Sequence, residues 1–209
     1  MKPIIQLIAA ASATVAFATS AIAAEAPDAL VKRISADVID TVKADKDIQA
    51  GNRNKIMDLV NSKILPHVDA EKMTQQAAGR FWRQATPEQQ KALTKEFTTL
   101  LVYTYSGALS TIKNETVEFK PMRAEAGATD VEVRTQVNTR GEPITLNYRL
   151  ANGPQGWKIY DINVLGAWLV ETYKGTFSSE ISKGGVDGLI KKLAERNQQL
   201  AARPLKAPK

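Results

Sequence analysis

The stretch DVEVRTQVNTRGEPITLNYRLANGPQGWKIYDINVL, residues 130–165, decides the fold of this chain. Within it, three runs alternate apolar and polar side chains: 131–137, 144–150 and 157–165. TRGEP and NGPQG separate the runs and contain the glycine and proline that tight turns favour. Because an alternation of period two indicates strands, and short connections join antiparallel neighbours, the stretch predicts consecutive hairpins. A shorter alternation at Val117–Phe119 adds a first strand and completes a four-stranded antiparallel meander.

The last of these runs differs from the others because it has large apolar side chains at both parities. Strict alternation places two sets on opposite faces: Trp157, Ile159 and Leu165, against Tyr160, Ile162 and Val164. A strand that is apolar on both faces is typically covered on both. We therefore expect helices on one face of this strand and further protein or a ligand on the other.

Helical periodicity flanks the sheet on both sides. Apolar residues spaced three and four apart predict amphipathic helices over 28–45, 53–64, 69–83, 167–181 and 186–200. Gly184-Gly185 interrupts the pattern between the last two. Helices, a meander and then helices define an α+β fold.

The longest predicted helix precedes the sheet. Thr86, Pro87 and Gln89 form a strong helix start, with an N-cap, a proline in the first turn and a capping-box partner. The apolar stripe of this helix continues to Ile112. About six turns are therefore expected to press an apolar, partly aromatic face against the rest of the protein.

The first 23 residues have the character of a cleaved export signal. Lys2 supplies a positive charge, an apolar run extends from Ile4 to Ala18, and small residues precede a cut after Ala23. The run is too short to cross a bilayer of about 30 Å comfortably, so a membrane anchor is the weaker alternative. We expect a signal peptide at 1–23 and a single exported domain at 24–209 with a basic C-terminal tail.

The composition excludes several classes of catalytic and metal site. The chain of 209 residues has no cysteine and one histidine, His67. It therefore has no thiolate nucleophile, disulfide or histidine metal cluster, and His67 is most simply a surface or capping residue. Phosphate-binding glycine loops and hydrolase motifs are also absent. The best catalytic candidate is Asp161, as a general base with a raised pKa; the alternative is a structural carboxylate paired with a loop or an arginine.

The positive charge of the chain is dispersed. The 28 Lys and Arg residues are interleaved with 22 Asp and Glu, for a formal net charge of +6, and no platform of arginines and aromatics points to nucleic acid. Basic residues concentrate near the C-terminus, at Lys191, Lys192, Arg196, Arg203, Lys206 and Lys209. This cluster is either a solvated helix face or a contact for anionic headgroups or an acidic partner.

Several short motifs occur in one order along the chain. FWRQATPEQ begins at Phe81, WKIYDINVLGAWLV begins at Trp157, and YKGTF and GGVDGLIKKL follow at Tyr173 and Gly184. In this order they resemble the MlaC, or toluene-tolerance, family over nearly the whole chain after residue 23. The chain departs from the family at LGAW, residues 165–168, where Glu-Gly-Val-Ser is frequent, and at its lysine in YKGTF, where arginine is frequent.

The resemblance implies a periplasmic phospholipid carrier rather than an enzyme. The fold would be a cone-like one, related to nuclear-transport-factor-like proteins, with acyl chains held between sheet and helices. The expected partners are phospholipid, an inner-membrane ABC transporter bearing a ring of MCE-domain subunits, and an outer-membrane lipoprotein complex. Such a carrier would help to maintain outer-membrane lipid asymmetry. No cofactor, metal or nucleic acid is expected, and the protein is expected to be a monomer.

The resemblance also suggests which large side chains contact lipid. We expect acyl-chain contacts from the helical stripe, the sheet and the segment after it: Phe97, Leu101, Tyr105, Leu109, Leu146, Tyr148, Tyr160, Ile162, Val164, Trp168, Val170 and Tyr173. Two alternatives stay open at this point. An enzyme on the same fold would direct Asp161 into the cavity, and an envelope interaction module would lack a cavity large enough for lipid.

Overall fold

The structure, a computed structural model, describes residues 25–122, 124–125, 127–139 and 141–205. The predicted signal peptide and its cleavage site lie outside the described residues. So do Lys206 and Lys209 of the predicted basic cluster.

Six α-helices surround the sheet in the described chain: α1 (Pro27–Ala44), α2 (Lys46–Gln49), α3 (Arg53–Leu59), α4 (Ala70–Ala78), α5 (Pro87–Tyr105) and α6 (Leu169–Ala201). Tighter or wider turns extend α3, α4 and α5: a π-helical turn at Val60–Ile64 and 3₁₀ turns at Leu65–His67, Gly79–Gln84 and Ser106–Thr111. The predicted capping box is confirmed, since Thr86 and Gln89 exchange both hydrogen bonds at the start of α5. At its other end, α5 does not run unbroken to Ile112 as predicted. It ends at Tyr105, and the 3₁₀ turn Ser106–Thr111 follows.

The sheet is antiparallel and its strands follow chain order: β1 (Thr116–Phe119), β2 (Asp130–Asn138), β3 (Ile144–Gly153), β4 (Gly156–Val164) and β5 (Ala167–Trp168). The α+β class and the meander are confirmed, but within the described residues the sheet has five strands rather than four. The fifth strand has only two residues, too few for a periodic signal. Leu165 and Gly166 make the turn into it with φ values of 53° and 89°, the left-handed conformation of tight hairpin turns.

A β-bulge at Tyr160 contradicts the expectation that β4 is apolar on two faces. Leu150 pairs with Ile159 and Arg149 pairs with Asp161, so Tyr160 is an extra residue in β4. The extra residue reverses the alternation, and Ile162 and Val164 therefore share a face with Ile159. We call this the helix face of the sheet, because its buried side chains pack with α1. Asp161 lies on the opposite face.

Two apolar cores hold the molecule together. The first joins α1 to the helix face of the sheet and includes Val31, Val133 and Leu150. The second is formed by α4, α5 and α6 and includes Phe97 and Phe177. Gly185 kinks α6 with a φ of 69°, as the Gly184-Gly185 pair predicted, and both arms of this helix contribute to the second core.

Candidate functional site

An apolar cavity of about 190 Å³ lies between α5 and β4. Its wall comes from five parts of the chain: Val60, Ile64, Leu65, Val68, Ala70, Met73, Thr98, Leu101, Val102, Tyr105, Ser106, Leu109, Ile162 and Leu169. None of these wall residues carries a charge. Such a cavity suits a hydrocarbon ligand, because a charged group in it would lose its hydration without gaining a partner of opposite charge.

The longest part of the wall is one stripe of α5 and the turn that follows it. Thr98, Leu101 and Tyr105 are three and four residues apart, so their side chains lie above one another on one side of the helix. The neighbouring stripe of α5 presents Phe97 and Leu100 to the second core. One helix thus supplies a core and a cavity wall through adjacent stripes.

Further wall residues come from segments that the sequence did not mark as functional. The turns at residues 60–68 and the start of α4 contribute Ile64, Val68 and Met73. From β4, which the sequence did mark, Ile162 completes this side of the wall. A hydrogen bond from the Asp69 backbone N–H to the Ile159 carbonyl, at 2.8 Å, fixes the first of these segments along the edge of β4. The predicted helices over 53–64 and 69–83 do not indicate which of their residues meet β4, so only the tertiary arrangement shows that this part of the chain reaches the cavity.

Four of the twelve residues expected to contact lipid lie in the cavity wall: Leu101, Tyr105, Leu109 and Ile162. The other eight lie elsewhere. Phe97, Val170 and Tyr173 belong to the second core, where the rings of Phe97 and Tyr173 meet edge to face at 5.0 Å. The tyrosines Tyr105 and Tyr173 share a hydrogen bond that links the cavity wall to that core, and burial raises the pKa of both, that of Tyr173 to about 12.

Three predicted residues of the sheet share the helix face but lie outside the cavity wall. Leu146 pairs with Val164 near the edge where β4 turns into β5. Tyr148 packs against the first core. Burial raises its pKa to about 12, while hydrogen bonds with Ser35 and Thr135 act to lower the pKa. This tyrosine therefore anchors α1 to the sheet.

Tyr160 and Trp168, the last two predicted contacts, belong to a polar cluster on the opposite face. The Tyr160 hydroxyl donates to Asp130 at 2.9 Å, and Lys72 Nζ lies 4.4 Å from the centre of the Tyr160 ring. Burial, and then the Asp130 carboxylate, raise the pKa of Tyr160 to about 12. The guanidinium of Arg149 stacks 3.9 Å above the Trp168 ring. Both aromatic rings therefore have cationic partners instead of an apolar cavity.

Asp161 is the buried acid of this cluster, with 1% of its surface exposed. Its Oδ1 accepts hydrogen bonds from the backbone N–H groups of Ile162 and Val170, at 2.9 and 3.0 Å. Arg149 donates to Oδ2 at 3.4 Å. Burial raises the pKa of Asp161, while the two backbone donors and Arg149 oppose that shift. The carboxylate is outside the cavity wall and ties β4 to the first turn of α6, so it has the geometry of the structural alternative rather than of a general base.

The other sequence candidates lie away from the cavity. His67 ends a 3₁₀ turn, and burial together with the nearby cations Arg33 and Lys158 lowers its pKa. Lys192 is exposed on α6 and pairs with Glu180 at 2.8 Å. Among the described residues there is no cluster of three or more histidine, cysteine or acidic side chains that could hold a metal. Of the helices that the structure describes, none combines the length and apolar character needed to cross a bilayer.

Comparison with known proteins assigns the chain to a family. Residues 32–195 match the model of the MlaC protein family. The toluene tolerance protein ttg2D of Pseudomonas putida is 24% identical over 93% of this chain and 94% of its own length. The intermembrane phospholipid transport system binding protein MlaC of Haemophilus influenzae is 23% identical over 89% of this chain and 87% of its own.

A solved structure matches the fold closely. It is that of a phospholipid-binding protein from Ralstonia solanacearum in complex with a phospholipid, which is 52% identical in sequence. It superimposes with a TM-score of 0.80 and covers 83% of this chain and 98% of its own. The family match over residues 32–195 and the shared fold together establish that this chain belongs to the MlaC family.

Proposed function

We propose that this protein is a periplasmic phospholipid carrier, exported by the signal peptide predicted at residues 1–23. The observation that carries the proposal is the uncharged cavity between α5 and β4, in a chain 52% identical to a protein that was solved with a phospholipid bound. Acyl chains enter this cavity and contact Leu101, Tyr105, Leu109 and Ile162. The polar headgroup remains at the protein surface in contact with water.

The energetics of lipid transfer explain why a carrier is needed. Two acyl chains hold about 30 methylenes, and at ~0.8 kcal/mol each their exposure to water costs on the order of 24 kcal/mol. An apolar protein cavity removes this barrier, because the acyl chains pass from the hydrocarbon of the membrane to the hydrocarbon-like interior of the protein. Because the net free energy of the exchange is then small, lipid can be both taken up and released.

The cavity must widen to hold its cargo. Its volume of about 190 Å³ is below the range of roughly 300 to 1,000 Å³ that is common for ligand pockets. The wall, however, comes from elements of two separate cores: Ile162 belongs to the sheet that packs with α1, and Leu101 belongs to α5. Because α5 and β4 belong mainly to different cores, we infer that the cavity widens by a shift between them rather than by repacking of either core.

The finer proposal concerns the route of the cargo. The Haemophilus relative is named as the binding protein of an intermembrane phospholipid transport system. By analogy, this chain shuttles phospholipid between an outer-membrane lipoprotein complex and an inner-membrane ABC transporter with an MCE-domain ring. This role maintains the lipid asymmetry of the outer membrane.

The test is to express the chain with its signal peptide, purify it from the periplasm without detergent, and measure extracted phospholipid by mass spectrometry. We expect near-stoichiometric phospholipid in the unmodified protein and at least a roughly tenfold loss in Leu101→Asp, because the cavity wall has no cationic partner for an ionised carboxylate. Thr99→Asp is the matched control, with the same charge change on a partly exposed part of α5 outside the wall. A folded, unmodified protein that carries no phospholipid would refute the proposal.

A further inference from the structure

Ser106 is an exception in the apolar wall of the cavity. It is 5% exposed and begins the 3₁₀ turn after α5. Its hydroxyl has no hydrogen-bond partner among residues 25–122, 124–125, 127–139 and 141–205. Buried polar groups in native proteins are almost always paired, so an orphan hydroxyl in a ligand cavity calls for an explanation.

Neighbouring serine and threonine hydroxyls donate to nearby backbone carbonyls, whereas the Ser106 hydroxyl does not. Serine and threonine in helices commonly donate to the carbonyl three or four residues earlier. Thr98 and Thr104 do so to Thr94 and Leu100, both at 2.7 Å, and Ser110 donates to Gly107 at 2.8 Å. Local backbone bonding is therefore usual in this segment, and Ser106 alone of these four residues keeps its donor unused.

A buried water molecule does not account for this hydroxyl well. Such a water needs two to four polar partners. The wall supplies few of them, because the Thr98 hydroxyl already donates to the Thr94 carbonyl and Tyr105 shares a hydrogen bond with Tyr173. A hydrogen-bonding group brought by the ligand itself is the simpler partner.

We propose that the Ser106 hydroxyl donates a hydrogen bond to an ester carbonyl oxygen of a bound acyl lipid. This inference rests on the proposed carrier function. The ester is the one polar group along an acyl chain, so its carbonyl oxygen is the cargo atom that can meet Ser106 inside this largely apolar wall. The ester then lies at the junction of α5 and its 3₁₀ turn, and hydrocarbon extends along the stripe toward Thr98, a distance of roughly 12 Å at the helical rise.

The experiment compares two phospholipids that differ in one linkage. Lipid-free protein is titrated with diester and diether phospholipids of equal chain length and identical headgroup, using unmodified protein, Ser106→Ala and Ser110→Ala. We expect the unmodified protein to prefer the diester by about fivefold, the value of one hydrogen bond. Ser106→Ala should bind both lipids equally, and Ser110→Ala should keep the preference because its hydroxyl is occupied by the Gly107 carbonyl.

A thermal melt separates this role from a structural one. Lipid-free Ser106→Ala should melt at or above the temperature of the unmodified protein, because alanine removes a buried group that has no partner. A clearly lower melting temperature would overturn the proposal, as would an unchanged diester preference in Ser106→Ala or equal binding of both lipids by the unmodified protein. If the unmodified protein binds neither lipid, the carrier function itself fails. Equal binding of both lipids refutes the ester contact alone.

Discussion

Asp161 and Ile162 are consecutive residues of β4, but their side chains lie in opposite chemical environments. Ile162 closes an uncharged cavity, whereas the Asp161 carboxylate accepts two backbone hydrogen bonds and contacts Arg149. The strand separates them because successive side chains point to opposite faces. We therefore propose that one face serves a ligand and the other serves stability. Burial of a carboxylate is therefore weak evidence for catalysis until its partners and its cavity are known.

The largest expected effect comes from placing a charge on the ligand face. Ile162→Asp should reduce the phospholipid that co-purifies with the protein at least about tenfold, because an ionised carboxylate would have no cationic partner among the wall residues. Asp161→Asn, one residue away, should retain near-normal phospholipid. Mass spectrometry of both variants measures the contrast, and circular dichroism checks that each is folded. Loss of phospholipid in Asp161→Asn with Ile162→Asp unaffected would reverse the functions we assign to the two faces.

The next effect concerns the stability supplied by Asp161. Replacing it with alanine leaves the backbone N–H groups of Ile162 and Val170 without their acceptor. Each unpaired buried donor costs about 1 to 3 kcal/mol, so we expect the free energy of unfolding to fall by roughly 3 kcal/mol. Asp161→Asn should lose less than about 1 kcal/mol, because both donors bond to Oδ1, which asparagine retains. Urea unfolding of the two variants gives the comparison. Equal losses would mean that the charge, and not the hydrogen bonds, holds β4 to α6.

Substitution of Trp168 tests whether side chains on the opposite face of the sheet affect phospholipid binding. Its ring stacks under Arg149, and Trp168→Ala should cost about 1 kcal/mol of unfolding free energy through loss of that cation–π contact. Bound phospholipid should stay unchanged, since Trp168 is outside the cavity wall. Trp168→Phe, which keeps an aromatic ring for Arg149, should recover part of the stability. A drop in bound phospholipid would extend the binding site to this face.

Sequence patterns predicted the parts of the fold that depend on local chemistry. Alternation of period two and the turns TRGEP and NGPQG predicted the hairpins of β2, β3 and β4, and the capping box at Thr86 predicted the start of α5. Helical spacing also placed Leu101, Tyr105 and Leu109 on one stripe, and all three lie in the cavity wall. These features depend on neighbours within a few residues, which the sequence displays directly.

The features that the sequence patterns did not place correctly depend on contacts between segments that are distant in the chain. The bulge at Tyr160 has no marker in the alternation, so strict parity assigned Ile162 to the wrong face. Tyr160 and Trp168 were grouped with the ligand residues because they are large and aromatic, but distant Lys72 and Arg149 surround them with polar partners. Val68 and Met73 were overlooked because only the pairing of their segment with β4 carries them to the cavity.

The smallest expected effect is the part of the pH dependence of stability that is due to Asp161. Because burial raises its pKa above the ordinary value of 3.8, the folded state binds the proton more tightly than the unfolded state. The contribution of Asp161 to stability is therefore fully present below the unfolded pKa and is lost as pH rises through the folded pKa. Glu25, Asp45, Glu115 and Glu180 have lowered pKa values and act in the reverse direction, but unmodified protein and Asp161→Asn share them.

The informative quantity is therefore the difference between the two proteins in urea unfolding, from about pH 3.5 to pH 7 around the ordinary carboxyl range. We expect the unfolding free energy of the unmodified protein minus that of Asp161→Asn to fall as pH rises and then to level off. A difference that instead grows with pH would mean that the two backbone donors and Arg149 outweigh desolvation. Asp161 would then be stabilised as a carboxylate in the folded protein, and the opposite face would carry a permanent negative charge against Arg149.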